Sequence, residues 1–271
     1  MQKRKGGTAA LEDYTEFGGL ERVFRYGECD STNTRAREYA AELLKKRGNE
    51  TSFDGAGLRA VFIAESQSAG RGRRGRSFLS PAGGIYASFL YFGGEGELDI
   101  SSLTAKAAVV SARAIERIHK VKIDIKWVND LYVNDRKIAG ILTEGEFDEN
   151  GKLRYFVVGM GINVYKIDDF ERVMPIATTL EDEINEHPKK EKILEELIRG
   201  MREELLCSDS AEMLGEYRER CNLIGRRVTV MRGDESYEAQ VLSVGDDYTL
   251  EVRLDGGEVR ALSSGEVSCR L

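Results

Sequence analysis

The sequence predicts an α+β protein with a mixed, mostly antiparallel sheet, helices packed on one side of it, and a small C-terminal barrel. Residues 121–164 hold four strand-like runs separated only by turns, which favours antiparallel neighbours. Residues 101–118 and 194–205 keep the apolar spacing of helices that cover a sheet. From residue 222 onward only short alternating strands and turn signals remain, which is typical of an SH3-like barrel.

The other elements follow from the same patterns. Strands are predicted at 21–26, 60–64 and 85–92, and further helices at 30–47 and 211–220. Either Ser101 or Ser102 is expected to cap the helix that follows it. We expect a flexible lead-in over residues 1–20, a main domain over 21–221 and a barrel over 222–271.

Composition argues against several classes of protein. The chain of 271 residues has a net charge of −7, only two histidines, and four scattered cysteines without a C-x-x-C pair. This argues against a histidine-rich metal centre and indicates a reducing compartment. No apolar run reaches the roughly 18 residues that a membrane span needs, and no signal peptide is visible. A cytoplasmic protein without membrane contact is therefore expected.

The strongest local signal is the segment 65–77, the arginine loop, in which four arginines alternate with three glycines. The arginines are Arg71, Arg73, Arg74 and Arg76, and the glycines are Gly70, Gly72 and Gly75. Glycine lets a backbone turn and approach a ligand closely, while arginine offers a permanent charge and a planar fork of donors. An acidic protein that gathers this charge in one loop is expected to hold an anion there.

Two nucleotide motifs fit this segment in part. Gly70-x-Gly72-x-x-Gly75 satisfies the dinucleotide fingerprint, and the run ending in Arg76-Ser77 nearly satisfies a phosphate loop. Both motifs need a helix directly after the glycines, whereas a loop and a strand-like run follow here, so we reject both. A solvated basic turn remains open from this segment alone.

Further segments carry chemistry, although each is weak alone. Lys126-Trp-Val-Asn-Asp130 combines a cation, an aromatic ring, an amide and a carboxylate, but strand tryptophans are usually core and strand lysines usually solvated. Lys137 lies one hairpin turn further on, where strand pairing brings it to the same end of the sheet as Lys126. Gly159-Met-Gly-Ile-Asn163 ends a strand with two positions free of side chains. Ser31-Thr-Asn33, before a helix, is explained more simply as a cap.

Taken in order, these segments resemble the biotin–protein ligases, also called biotin–[acetyl-CoA-carboxylase] ligases. The resemblance covers about residues 21–271 and rests on residues 31–33, 65–76, 126–130, 136–141, 159–163 and 264–270. It implies the class II synthetase-like fold of that family's catalytic domain. It also implies a monofunctional ligase, because the residues before 21 are too few for a DNA-binding helix-turn-helix domain.

The resemblance implies a two-step reaction that uses biotin, ATP and Mg²⁺. The biotin carboxylate attacks the α-phosphate of MgATP, which gives biotinyl-5′-adenylate and pyrophosphate. A lysine of a biotin carboxyl carrier protein, or of a carboxylase carrier domain, then takes the acyl group and AMP leaves. No nucleic acid partner is expected, and the protein is expected to be a monomer or a homodimer.

The resemblance also implies residue roles. Lys137 and Arg73 would be the catalytic groups. The biotin-binding residues would be Ser31, Thr32, Asn33, Gln67, Gly70, Arg71, Arg73, Lys137 and Gly140. The ATP-binding residues would be Arg73, Arg74, Arg76, Lys126, Trp127, Asn129, Asn163 and Arg270. Asp130 would face the metal ion, because Mg²⁺ prefers oxygen ligands.

Two positions depart from the family pattern, and two rival functions remain. Val128 stands where the family usually has proline, which affects the local backbone, and Phe78 stands where tryptophan is common, which is expected to weaken the packing of the closed loop. A lipoyl or octanoyl transferase is one rival, and the arginine loop together with Lys126-Trp127 argues against it. A nucleic-acid-binding module is the other, and the net acidity argues against it.

Overall fold

The structure is a computed structural model that describes residues 11–12, 22–47, 57–92, 99–167, 177–232, 235–263 and 266–269. It confirms the α+β plan, because helices cover an eight-stranded mixed sheet and a five-stranded antiparallel sheet follows at the C-terminus. Apart from Leu11–Glu12, the predicted lead-in over residues 1–20 lies outside the described residues, and the three domain limits stay predictions. In the part of the chain that is described, none of the helices could cross a bilayer.

The main sheet consists of β1 Leu11–Glu12, β2 Arg22–Cys29, β3 Gly57–Gln67, β4 Ile85–Phe92, β5 Asp124–Lys126, β6 Asp130–Val133, β7 Arg136–Phe147 and β8 Leu153–Ile162. The helices are α1 Thr32–Arg47, α2 Ile100–His119, α3 Leu180–Glu183, α4 Lys190–Glu203 and α5 Ser210–Arg220. The C-terminal sheet consists of β9 Arg227–Arg232, β10 Glu235–Val244, β11 Leu250–Leu254, β12 Val259–Leu262 and β13 Glu266–Cys269.

The strand order of the main sheet is β1-β2-β3-β4-β8-β7-β6-β5. Among the described strands of this sheet, β2 and β3 are the only neighbours that pair in parallel, with α1 as their crossover, and the others are antiparallel. The predicted hairpin between β6 and β7 is confirmed, with Asn134 and Asp135 both at positive φ (50° and 59°). This topology brings the start of α1, the loop after β3 and the β5–β6 turn toward the same region.

Helices cover both faces of the sheet, so the prediction that they pack on one side was wrong. Helix α1 buries Ala36 against Phe62 and Leu90 on one face. On the other face, Val61 and Phe89 belong to the core that includes residues of α2, α4 and α5. Strand β4 is buried at every position, so both faces of the sheet need cover. Periodicity shows that a helix has an apolar stripe but not which face of the sheet that stripe covers.

One local prediction also needs correction. Helix α2 is capped by Asp99, whose Oδ2 accepts a hydrogen bond from the Ser102 amide at 2.6 Å, so Ser101 and Ser102 lie inside the helix. The short helix α3 is capped by Thr179, whose side chain accepts a hydrogen bond from the Asp182 amide.

The C-terminal sheet is anchored to the β5–β6 turn. The Trp127 Nε1–H donates to the Tyr248 carbonyl at 2.9 Å, and at the neighbouring β6–β7 turn Arg226 pairs with Asp135 at 3.0 Å. The Tyr217 hydroxyl on α5 donates to the Val128 carbonyl at 3.2 Å. The peptide bond before Val128 is cis. These contacts hold the turn between the sheet and the barrel.

Charged side chains join the helices behind the sheet. Arg113 on α2 pairs with Glu216 on α5 and with Glu204 just after α4, the latter at 2.9 Å. Burial alone would raise the pKa of Glu204, but hydrogen bonds from Arg113 and Arg117 outweigh it and hold that pKa below its usual value. Burial would also raise the pKa of Glu216, but hydrogen bonds from Arg113 and Arg220 lower it below its usual value. The helical layer is therefore most stable where these carboxylates are ionised.

We predict that Arg113→Met lowers the free energy of unfolding at pH 7 by about 2 kcal/mol, a value between those of surface and buried ion pairs. A depressed carboxyl pKa contributes stability above the unfolded pKa of about 4.3, and the contribution is lost as the pH falls through the folded pKa. Urea unfolding should therefore show the difference between the two proteins shrinking from pH 7 to about pH 3. Arg260→Met, which removes an exposed pair with Glu258, is the control. If Arg113→Met lowered the free energy of unfolding equally at pH 7 and at about pH 3, the result would contradict this account.

Candidate active site

The segments singled out in the sequence meet around one cavity of about 400 Å³ on the α1 face of the sheet. Its walls come from the start of α1, the arginine loop, the β5–β6 turn and strands β6 to β8, with one residue from the barrel. The lining residues are Ser31, Thr32, Asn33, Gln67, Arg71, Gly72, Arg73, Arg74, Arg76, Ser77, Phe78, Lys126, Trp127, Asn129, Asp130, Tyr132, Lys137, Gly140, Ile141, Leu142, Gly159, Met160, Gly161 and Met231.

The floor of the cavity is a patch of sheet without side chains. Gly140 and Gly161 are opposite each other in the β7–β8 ladder, and Gly159 lies two residues before Gly161 on the same face. A Cβ on Gly161 would lie 2.4 Å from the Phe78 ring, and one on Gly159 would lie 1.9 Å from Asn33 Oδ1. These glycines therefore allow Phe78 and Asn33 to lie flat against the sheet. Phe78, a departure from the family pattern, packs on this floor.

The arginine loop is folded back on itself. The Gly72 amide donates to the Arg76 carbonyl at 2.7 Å, and a single 3₁₀ turn spans Arg73–Gly75. Arg74 and Gly75 have positive φ, 57° and 73°, which explains a glycine in the second position. No α-helix follows the glycines, which agrees with our rejection of the dinucleotide and phosphate-loop motifs.

Two arginines tie this loop to other elements. Arg73 Nη1 donates to Asn129 Oδ1 at 2.9 Å, and Arg71 Nη2 pairs with Glu144 Oε1 at 2.8 Å. The loop is thus attached to the β5–β6 turn on one side and to β7 on the other. This is not the arrangement of a freely solvated basic turn, although Arg74 and Arg76 are exposed.

The polar end of the cavity is formed by the triplet at the start of α1. Ser31, Thr32 and Asn33 are each at most 4% exposed. The Thr32 amide donates to Gln67 Oε1 at 2.8 Å, and Asn33 Nδ2 donates to a carboxylate on β7. Because the Thr32 and Asn33 side chains bond to strands of the sheet, capping alone does not explain the triplet.

The opposite end of the cavity is cationic. Lys137 Nζ pairs with Asp130 Oδ2 at 2.8 Å, and Lys126 Nζ lies 5.7 Å from the centre of the Tyr132 ring. Six cationic side chains line the cavity, and Asp130 is the only carboxylate among its described lining residues. The excess of positive charge suits a polyanionic ligand. Lys126 and Lys137, which were predicted to lie at the same end of the sheet, both line the cavity.

Two predicted site residues among the described ones, Gly70 and Asn163, do not line the cavity. Gly70 is not among the lining residues, and a Cβ there would be 2.3 Å from the Phe78 carbonyl, so the packing of the loop requires glycine at this position. Asn163 is buried, and its Nδ2 donates to the Thr178 carbonyl at 3.1 Å. Arg270 lies outside the described residues. Trp127 does line the cavity, but its N–H is bonded to the barrel.

The donor set suits a metal ion only in part. Among the described residues no group of three or more carboxylate, histidine or cysteine side chains converges. One carboxylate, Asp130, with the Asn129 amide beside it, fits a Mg²⁺ ion that is held mainly by ligand phosphates and water.

A cysteine nucleophile is not available near the triplet. Burial, followed by the charge of Asp30, raises the pKa of Cys29 to about 12. A thiol with that pKa is protonated at neutral pH and is a poor nucleophile.

Sequence reasoning missed several residues of this site. Ser88 and Glu144 bond to the triplet from behind, and Met231 on β9 brings the barrel to the cavity wall. Ser88 could have been noticed, because it is the only aliphatic hydroxyl in the apolar run of β4. Glu144 and Met231 carry no local signal, because their importance depends on contacts between distant parts of the chain.

Comparisons with known proteins agree on one family. The Biotin/lipoate A/B protein ligase family matches residues 29–163. The Bifunctional ligase/repressor BirA of Escherichia coli is 31% identical over 245 residues, which are 89% of this chain and 72% of that protein. The Biotin--[acetyl-CoA-carboxylase] ligase of Mycobacterium tuberculosis is 29% identical over 238 residues, 84% of each chain.

Solved structures share the fold. A mutant biotin protein ligase from Aquifex aeolicus in complex with biotin gives a TM-score of 0.73 at 25% identity, over 92% of this chain and 97% of that one. The ligase of the same organism in complex with biotin and ATP gives a TM-score of 0.73 at 24% identity, over 93% and 99%.

We predict that Gly161→Ala opens the arginine loop, because the new methyl group would overlap the Phe78 ring. This overlap would destabilise the closed loop by about 1–3 kcal/mol. The open loop would then be more populated, and trypsin would cleave it about tenfold or more faster. Limited proteolysis with mass mapping measures this. Gly215→Ala, on α5 with open space around its Cβ, is the matched control. Phe78→Ala in the Gly161→Ala background should remove the overlap. Equal cleavage in wild type and Gly161→Ala would refute the role of the floor.

Proposed function

Because this chain belongs to the biotin/lipoate A/B protein ligase family, and within it resembles the biotin–protein ligases, we propose that it makes biotinyl-5′-AMP and transfers the biotinyl group to a lysine of a carrier domain. The single observation that supports this most is the two-ended cavity. One end offers buried hydroxyl and amide groups around Thr32 and Gln67, and the other offers Lys137, Lys126 and Arg73. A neutral polar ring and a polyphosphate would each find suitable partners.

The first step joins a carboxylate to a phosphate, so like charges must approach each other. The carboxylate oxygen of biotin forms a bond to the α-phosphorus, and the bond from that phosphorus to pyrophosphate breaks. Charge builds on the oxygens around the α-phosphorus in the transition state, and fixed cations stabilise it. Lys137, which the Asp130 carboxylate orients at 2.8 Å, is our candidate for the group that contacts these oxygens.

The arginine loop would then retain the adenylate. Arg73 bonds to Asn129 across the cavity, and this contact keeps the loop near the cationic end. A loop closed over a mixed anhydride keeps water from it. In the second step the carrier lysine nitrogen attacks the acyl carbon and loses a proton, an amide bond forms, and AMP leaves with both electrons of the broken C–O bond.

The nucleotide would occupy the side of the cavity formed by Lys126, Trp127, Asn129 and Met231. Asp130, with Asn129, would hold Mg²⁺, which neutralises phosphate charge when it is bound. Asn163 and Arg270 stay as sequence-based proposals for the nucleotide. The carrier domain as partner, a monomer or homodimer, and a cytoplasmic location belong to the same proposal.

The test is incubation with biotin, MgATP and a biotin carrier domain, followed by the intact mass of that domain. We expect the mass gain of one biotinyl group, and none on a carrier whose acceptor lysine is replaced by arginine. Lipoate in place of biotin is the decisive control, because the family includes lipoate ligases. Modification with lipoate but not with biotin would reject the proposal.

We predict that Lys137→Ala lowers the rate of biotin-dependent pyrophosphate release by at least about a hundredfold, because it removes a charge that acts mostly in the transition state. Biotin binding, measured by calorimetry, should change little. Lys122→Ala removes an exposed lysine, 78% accessible, and should behave as wild type. Unchanged pyrophosphate release in Lys137→Ala would exclude the assigned role.

A further inference from the structure

Two side chains that do not line the cavity support its polar end. Ser88 on β4 is fully buried, and Glu144 on β7 is 19% exposed in its side chain. Ser88 Oγ lies 2.6 Å from Asn33 Oδ1 and 2.7 Å from Thr32 Oγ1, and Glu144 Oε2 lies 2.8 Å from Asn33 Nδ2. Together these bonds form a chain from Glu144 through Asn33 and Ser88 to Thr32.

The carboxylate sets the direction of this chain. An ionised carboxylate can only accept hydrogen bonds, so the amide nitrogen of Asn33 faces Glu144 and its oxygen faces Ser88. An amide oxygen can only accept as well, so the Ser88 hydroxyl donates its single proton to Asn33. The Ser88 oxygen can therefore only accept from Thr32.

The second neighbour of the Thr32 hydroxyl is also an acceptor. Gln67 Oε1 lies 3.2 Å from Thr32 Oγ1 and already accepts the Thr32 amide, while Gln67 Nε2 donates to Ser80 Oγ at 2.8 Å. With acceptors on both of these sides, the Thr32 proton is directed to Ser88 or Gln67. The hydroxyl thus presents only a lone pair to the cavity.

We propose that Glu144 and Ser88 are positioning residues that make Thr32 a hydrogen-bond acceptor toward the ligand and so select a ligand with an N–H donor, such as a cyclic urea. This inference rests on the proposed function and adds the residues that set its specificity. Glu144 also pairs with Arg71 through Oε1, so one carboxylate serves both the triplet and the arginine loop.

A neutral amide at position 144 would reverse the chain. Arginine can only donate, so in Glu144→Gln the new amide oxygen would face Arg71 and the new amide nitrogen would face Asn33. Asn33 would turn its oxygen to that nitrogen, and Ser88 would donate to Thr32. Only Gln67 Oε1, which is 3.2 Å away and already bonded to the Thr32 amide, would then remain as an acceptor for the Thr32 proton, so the hydroxyl would be held less firmly as an acceptor toward the ligand. In Ser88→Ala the Thr32 hydroxyl likewise keeps only this longer contact.

Calorimetric titration with three ligands tests this inference. The ligands are biotin and its two analogues in which one or the other ureido N–H is replaced by a ring oxygen. The wild type should bind biotin about tenfold or more tightly than at least one analogue, because that analogue replaces a hydrogen-bond donor by an acceptor. In Glu144→Gln and Ser88→Ala the ratio of the affinity for biotin to the affinity for that analogue should fall to about two or less. The ratio is the readout, because general destabilisation weakens all ligands alike.

Glu146→Gln is the matched control, since Glu146 lies two residues further along β7 and makes no hydrogen bond to Arg71 or Asn33 in the described part of the chain. It should keep the wild-type ratio. Circular dichroism checks the fold of each variant, and if the buried Ser88→Ala protein fails to fold, Glu144→Gln decides. If the Glu144→Gln protein keeps the affinity ratio of the wild type, this inference is overturned and the proposed function is not. If the wild-type protein binds no biotin, the proposed function is overturned.

Discussion

The site depends on a patch of sheet that carries no side chains. Gly140, Gly159 and Gly161 leave room for the Phe78 ring and the Asn33 amide to lie against β7 and β8. Any larger residue at 159 or 161 would meet these groups well inside van der Waals contact. The arginine loop and the start of α1 can therefore approach the same surface from two sides. The cavity between them has a polar end and a cationic end because different segments form each one.

Polar contacts then bind distant elements into one unit. Arg73 joins the loop to the β5–β6 turn, and that turn is held in place by the barrel through the Trp127 and Tyr248 contact. Glu144 joins the loop to the triplet through Arg71. Each contact involves a charged group or a buried donor, so losing one partner leaves a costly unsatisfied group. The barrel is thus part of the structure that supports the cavity, and Met231 reaches its wall.

Elements and motifs were predictable from the sequence, whereas the contacts that organise the site were not. Strand β4 was predicted at its observed limits because a largely apolar, aromatic-rich run lies between glycines. The arginines were identified because their alternation with glycines is distinctive, and Lys137 was identified because its place in the order of the motifs resembles that in the biotin–protein ligases. The contacts of Asn33 with Ser88 and Glu144 join residues that are 55 and 111 positions apart in the chain. The side of the sheet that α1 covers and the close packing of Gly70 against Phe78 also depend on tertiary contacts. Local patterns carry no information on such pairings.

A crystal structure of the protein grown with biotin and ATP tests the central claim most directly. The account predicts the ureido ring beside Thr32 and Gln67, the phosphates between Lys137 and Arg73, and the arginine loop closed over both against Gly140, Gly159 and Gly161. A ligand bound elsewhere, or an arginine loop turned away from an empty glycine floor, would contradict it.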